Sequence, residues 1–101
     1  MFPSIINTFF PSTFIFPDGS RVDYLIRDDC LRYRSPPPKR DSLEIPLKYD
    51  AVHKKSRVST VVDWRWQSND VLLIGEERAE VICKINAFMR RRPSEFEVTS
   101  D

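Results

Sequence analysis

EERAEVICKINAFMRR, residues 76–91, reads as one amphipathic helix. Val81, Ile82, Ile85, Phe88 and Met89 fall at i, i+1, i+4, i+7 and i+8, which places them in a single apolar stripe. Glu76 and Glu77 occupy the first turn and Arg90, Arg91 and Arg92 the last, the polarity that the helix dipole favours. Glu80 and Lys84 add an i,i+4 pair with the acid on the N-terminal side. Pro93 has no N–H to continue the ladder and stops the helix. A helix with one apolar stripe needs a surface to cover, and the residues before it supply strands.

Thr13-Phe-Ile-Phe16 is β-branched and aromatic, and Pro17-Asp-Gly-Ser20 behind it is a hairpin signal. Residues 21–27 then alternate, with Val22, Tyr24 and Ile26 on one face and Arg21, Asp23 and Arg27 on the other. Arg27-Asp-Asp29 makes a second turn, and in residues 30–34 Leu31 and Tyr33 alternate with Cys30, Arg32 and Arg34. Pro36, Pro37 and Pro38 favour an exposed polyproline II connection, without the P-x-x-P repeat that would mark a ligand for a Pro-binding module. Leu43, Ile45 and Leu47 indicate a fourth strand, which Pro46 would confine to an edge or break with a bulge. Residues 50–57 read as a polar loop. Val58, Thr60, Val62, Trp64 and Trp66 then occupy alternate positions and predict a fifth strand over 58–66. Its two tryptophans would anchor either the core or a binding surface, and the three smaller β-formers sharing their face favour the core.

The expected fold is therefore α+β: an antiparallel sheet of about five strands in a meander, packed by one C-terminal amphipathic helix. The chain divides into an N-terminal segment (1–12) whose order the sequence does not fix, a single domain (13–93), and a tail or short final strand (94–101). With 101 residues there is room for one core, burying roughly 60–65% of the unfolded surface. Apolar residues at 41% and charged residues at 31% place the chain among globular domains. Two glycines leave little material for phosphate-cradling loops. The net charge is +1, with seven basic and seven acidic residues in 1–50 and nine against eight in 51–101, so bulk charge marks no nucleic-acid binder. Cys30 and Cys83 are expected as free thiols in a reducing compartment. The apolar N-terminus lacks a basic leader and a cleavage motif, and no run approaches the ~18 apolar residues of a membrane span. A cytoplasmic location without membrane association is the expectation.

The chain's one histidine, His53, lies in a Lys-rich loop far from any nucleophile motif, which leaves neither a catalytic triad nor a metal site to expect. No cofactor is implied. Asp28, Asp29 and Glu44 could serve an acid-pair enzyme only by converging in a cleft, and the Glu44 to Lys48 spacing is wider than the Glu-x-Lys of nuclease-like sites. Nucleic acid could be met by a local basic patch of Lys54, Lys55 and Arg57 with Arg90, Arg91 and Arg92. The bland alternative is a solvated loop and a set of dipole-complementing arginines.

Trp66-Gln-Ser-Asn-Asp-Val-Leu-Leu-Ile-Gly-Glu-Glu-Arg78, running into Val81, Ile82 and Ile85 and then Phe96-Glu-Val98, resembles the ending of small immunity proteins of bacterial polymorphic toxin systems. That family closes with a tryptophan strand, a polar loop, an amphipathic helix containing Glu-Arg and a short strand. The likeness covers the last third of the chain. It implies a stoichiometric, non-catalytic binder that blocks a toxin, and it transfers no binding residues. A protein-binding module is accordingly the expected function, with another protein as partner. Aromatic and arginine residues dominate binding hot spots, which selects Tyr24, Arg32, Tyr33, Arg34 and Arg65. The alternation puts the three arginines opposite the apolar positions of their strands.

Overall fold

The computed structural model describes residues 12–59 and 62–98. Five strands, β1 (Thr13–Ile15), β2 (Arg21–Leu25), β3 (Cys30–Arg34), β4 (Ser42–Asp50) and β5 (Lys55–Val58), form one antiparallel meander in chain order, followed by helix α1 (Gly75–Arg90). The α+β architecture expected from the sequence is the one observed. The expectation for residues 1–11 lies outside the described residues.

Turn chemistry accounts for the meander. Asp18 Oδ1 accepts from the Ser20 amide at 2.9 Å and the Ser20 hydroxyl at 2.6 Å, while Gly19 adopts φ +89°. Only glycine fits there, because a Cβ would stand 2.9 Å from Pro37 Cδ of the proline loop. Between β2 and β3 the chain makes one 3-10 turn over Ile26–Asp28 and closes it with Asp29 in the left-handed region. Ile26 therefore leaves the strand and is exposed.

Register decides which side chains share a face. Phe14, Val22, Tyr33 and Leu43 lie in one row, and Tyr24, Leu31 and Ile45 in the next. This is the inner face, and the helix covers it: Val81, Ile82, Ile85, Phe88 and Met89 join Val22, Leu31, Leu43 and Ile45 in one core. Fully burying an aliphatic or aromatic side chain of this kind contributes about 1.5–3 kcal/mol, so the stripe of α1 is what holds the two layers together. The opposite rows are Ile15, Arg21, Arg34 and Ser42, then Thr13, Asp23, Arg32 and Glu44. This outer face is polar.

Two strand expectations are corrected. Pro46 puts β4 neither at an edge nor on a bulge, since β4 lies between β3 and β5. The Leu47 amide donates to the Asp29 carbonyl at 3.0 Å, so the neighbouring Pro46 nitrogen points away from β3, toward the β5 side where pairing begins only at Leu47. Its missing donor interrupts neither ladder.

The fifth strand is Lys55–Val58, not 58–66. Its hairpin turn uses Lys54 at φ +56° and the Asp50 carboxylate, which accepts from the Val52 and His53 amides. Trp64 and Trp66 instead belong to a separate narrow hairpin. The Leu73 amide donates to the Trp64 carbonyl, the Trp66 amide donates to Val71, and Arg65 bridges Leu72. Alternation survives as burial: Trp64 and Trp66 are in the core, while Asp63 and Arg65 are exposed. The free edge of β5 is taken by the tail, where Ser56 exchanges hydrogen bonds of 2.8 Å with Glu95 and Glu97 and Phe96 enters the core. The short final pairing is parallel.

Candidate functional site

The five side chains selected from the sequence do not form one site. Tyr33 is 3% exposed and faces the core, 6.3 Å between ring centroids from Trp66. Tyr24 is half-buried on the same inner face and stands edge-on to Phe96. Arg65 is exposed in the tryptophan hairpin, where its Nη1 donates to the Asp70 carbonyl at 3.1 Å. Arg32 and Arg34 are on the outer face, as the alternation requires.

On that face Asp23 is buried beneath its neighbours. Thr13 Oγ1 donates to it at 2.6 Å, Arg21 Nε at 3.1 Å and Arg32 Nη2 at 3.5 Å. Arg32 is thus committed to an internal pair. Arg34 stands directly across from Arg21, and like charges in that position repel. A shallow concavity of about 240 Å³ brings Arg21 and Arg34 together with Arg40, and Ile15, Gly19, Ser35 and Pro37 complete it. No carboxylate among the described residues lines it, the Asp23 partner of Arg21 lying outside the lining. Among the described residues neither Arg34 nor Arg40 has an ion pair. Three guanidiniums around an exposed isoleucine make a docking point for anionic groups with apolar flanks, because guanidinium forks match carboxylates.

The register that brings Arg21 beside Arg34 cannot be read from either strand alone. Arg40, at φ +50°, is placed by the proline loop. The only advance signals were the position of Arg21 on the polar face of its strand and the Lys39-Arg40 pair after the prolines.

The second basic set is interleaved with acids. Arg57 Nη2 lies 3.2 Å from Asp50 and 3.3 Å from Glu97, and Arg92 Nε lies 2.8 Å from Glu95. Arg91 stacks 4.4 Å from the Phe14 ring centroid and Arg92 5.6 Å from that of Tyr24. Lys54 and Arg90 are exposed and Lys55 is half-buried. Beside the loop, a cavity of about 420 Å³ sets Lys54 against Asp29 and Glu95, and none of Arg90, Arg91 and Arg92 lines it.

Asp50, His53 and Glu97 present ligand-type atoms within 4.8 Å of one another. His53 Nδ1 is 2.6 Å from Asp50 Oδ2, and the Arg57 guanidinium already bridges the two carboxylates. Asp28, Asp29 and Glu44 are exposed, the first two in the turn before β3 and the third beside Arg32 on β4. Cys30 is buried and Cys83 exposed, both as free thiols. Burial pushes the Cys30 thiol pKa up, and the nearby Glu44 and Asp28 push it further, which keeps it protonated and unreactive.

Comparison with protein-family models, curated proteins and solved structures gives no match for this chain. Among the described residues no helix is long and apolar enough to cross a membrane.

Proposed function

We propose that this chain is a non-catalytic protein-binding module, an inhibitor of the immunity type, that engages an acidic surface of its partner through the outer face of its sheet. One observation carries the reading. The helix leaves that face uncovered, and there Arg21, Arg34 and Arg40 surround the exposed Ile15, with Arg34 and Arg40 in no ion pair among the described residues. Arginine beside an apolar anchor is the composition of interface hot spots, and fixed guanidiniums discriminate strongly between acidic and basic partners. The resemblance of residues 66–98 to immunity proteins agrees with this reading and is independent of it.

The test is a pull-down of the tagged chain from its native host after nuclease treatment, repeated with an Arg34→Glu, Arg40→Glu double variant. Both side chains are exposed, so the variant is expected to keep the wild-type circular dichroism spectrum and to lose a stoichiometric partner by at least about a hundredfold in affinity. Undiminished capture by the variant removes this face from the function. Recovery of nuclease-sensitive material alone would transfer the function to nucleic acid and the Lys54–Arg57 and Arg90–Arg92 segments.

A further inference from the structure

On the other side of the proline loop lies a second cavity, of about 280 Å³, whose chemistry is the reverse of the arginine concavity. Ser35 and Pro37 line both, so the loop is the wall between them. Tyr33 and Trp66 form an aromatic corner in the second cavity, with rings inclined by 52°. Glu77 and Glu80, on the first turns of α1, add two carboxylates. Trp66 Nε1 donates to Glu77 Oε1 at 3.3 Å, which fixes the indole plane and enriches its π face in electron density.

A cation already occupies this corner. Lys39 Nζ stands 4.2 Å from the centroid of the Trp66 ring. It differs from the other lysine nearby. Lys84, 5.7 Å from the Tyr33 ring, is held by Asp18 and Glu80. Lys39 is exposed, sits in a loop and has no ion pair among the described residues. Its ammonium is therefore a resident that can leave the Trp66 ring, which is 3% exposed with Lys39 in place. With Lys39 withdrawn, the charged lining among the described residues is two carboxylates, of which Glu80 is shared with Lys84 at 3.4 Å and Glu77 is not.

We infer that this cavity is a binding site for an alkylammonium group, with Lys39 as its internal competitor. Aromatic faces combined with carboxylates attract such cations and reject anions. A ligand ammonium enters by exchange with Lys39, so the protein keeps one positive charge over the indole in either state. The two cavities share the loop wall at Ser35 and Pro37 but neither Arg34 nor Arg40 lines this one, and reversing the two arginines is expected to leave its rings and carboxylates in place.

The test titrates the full-length wild type and a Lys39→Ala variant with tetramethylammonium chloride, against sodium chloride of equal ionic strength. The readouts are tryptophan fluorescence and the Trp66 indole N–H resonance. The variant is expected to bind roughly two- to fivefold more tightly than the wild type, the effect of removing one exposed cation–π competitor. Adding Glu77→Gln to the variant is expected to abolish the gain. A glycine-flanked trimethyl-lysine peptide and choline, run in parallel, separate a polypeptide side chain from a free small amine: tighter binding of the peptide assigns the former, and binding of choline alone the latter. An indole resonance that moves no further with tetramethylammonium than with sodium in the Lys39→Ala variant overturns the inference. Lys39→Gln guards against an alanine-specific effect on the loop.

Discussion

The Asp41 carboxylate accepts from the Ser68 hydroxyl at 2.5 Å, the Ser68 amide at 3.1 Å and the Ser42 amide at 2.9 Å, while its own amide donates to Ser35 Oγ. Burial alone would raise its pKa. The three hydrogen bonds outweigh burial and hold the carboxyl below the ordinary aspartate value. One buried side chain thus joins the proline loop, the start of β4 and the turn after Trp66, with the Gln67 amide to Ser42 carbonyl bond beside it. Asp41→Ala strands two amide donors, that of Ser42 in a buried site and that of Ser68 in a part-buried one. The expected cost is about 2–3 kcal/mol, since buried donors left without acceptors lose their full desolvation penalty. Urea denaturation with an unchanged m-value checks this, and a loss below about 0.5 kcal/mol would show that water replaces the carboxylate. Asp41 and Ser68 lie far apart in sequence, and neither carries a motif, so no reading of the chain could have joined them.

At the scale of elements, what was legible is what local periodicity controls. The stripe from Val81 to Met89, the Asp18-Gly19 turn and the alternation of β2, β3 and β4 each have one favoured local solution, and tertiary packing agreed with it. Residues 58–66 failed for a physical reason. Period two reports alternating burial, and a narrow hairpin produces that pattern as well as a sheet strand does. The true β5 carries Lys55 and Arg57, and its turn has no glycine, so its polarity disguised it as a loop. The site was legible in part for the same reason: Arg34 followed from alternation, but its companions depend on strand register and on the path of the proline loop. Tyr33 falls with Leu31 on the inner face, as the alternation requires, and so lies apart from Arg34.

The tail illustrates how a short apolar alternation can matter more than its length suggests. Phe96 is 2% exposed and contacts both Tyr24 of β2 and Phe88 of α1, at 4.9 and 6.0 Å between centroids. Phe96→Ala is expected to cost about 3–5 kcal/mol by opening a cavity where sheet, helix and tail meet. Chemical denaturation measures it. A loss under about 1 kcal/mol would mean that the tail docks on an already complete core.

Over the whole molecule, the near-neutral net charge conceals a set of carboxylates whose ionisation the fold uses. The hydrogen bond from Lys84, helped by those from Ser20, lowers the Asp18 pKa to about 2. The hydrogen bond with the His53 ring, together with the His53 and Val52 amides, brings Asp50 to about 2 against the opposing effect of burial. Asp41 is lowered as well. A carboxyl whose pKa is lower folded than unfolded binds fewer protons in the native state. Its stabilisation is complete above the unfolded value, about 3.9, and disappears as pH falls through the folded value. The Tm should therefore be level from neutral pH down to about 5 and fall steeply between about pH 4 and pH 2. Asp18→Asn separates one contribution: it replaces a charge-assisted partner of Lys84, whose side chain is only 13% exposed, by a neutral one. The variant is expected to melt below the wild type at neutral pH, and the two curves should converge as pH falls through about 2, where the wild-type carboxyl itself takes up its proton. Because the Asp18 side chain is 41% exposed, the difference is expected to shrink in high salt. A Tm difference that stays constant from neutral pH to pH 2 would place the effect of Asp18 in the shape of its turn, through the Ser20 bonds, and not in its charge.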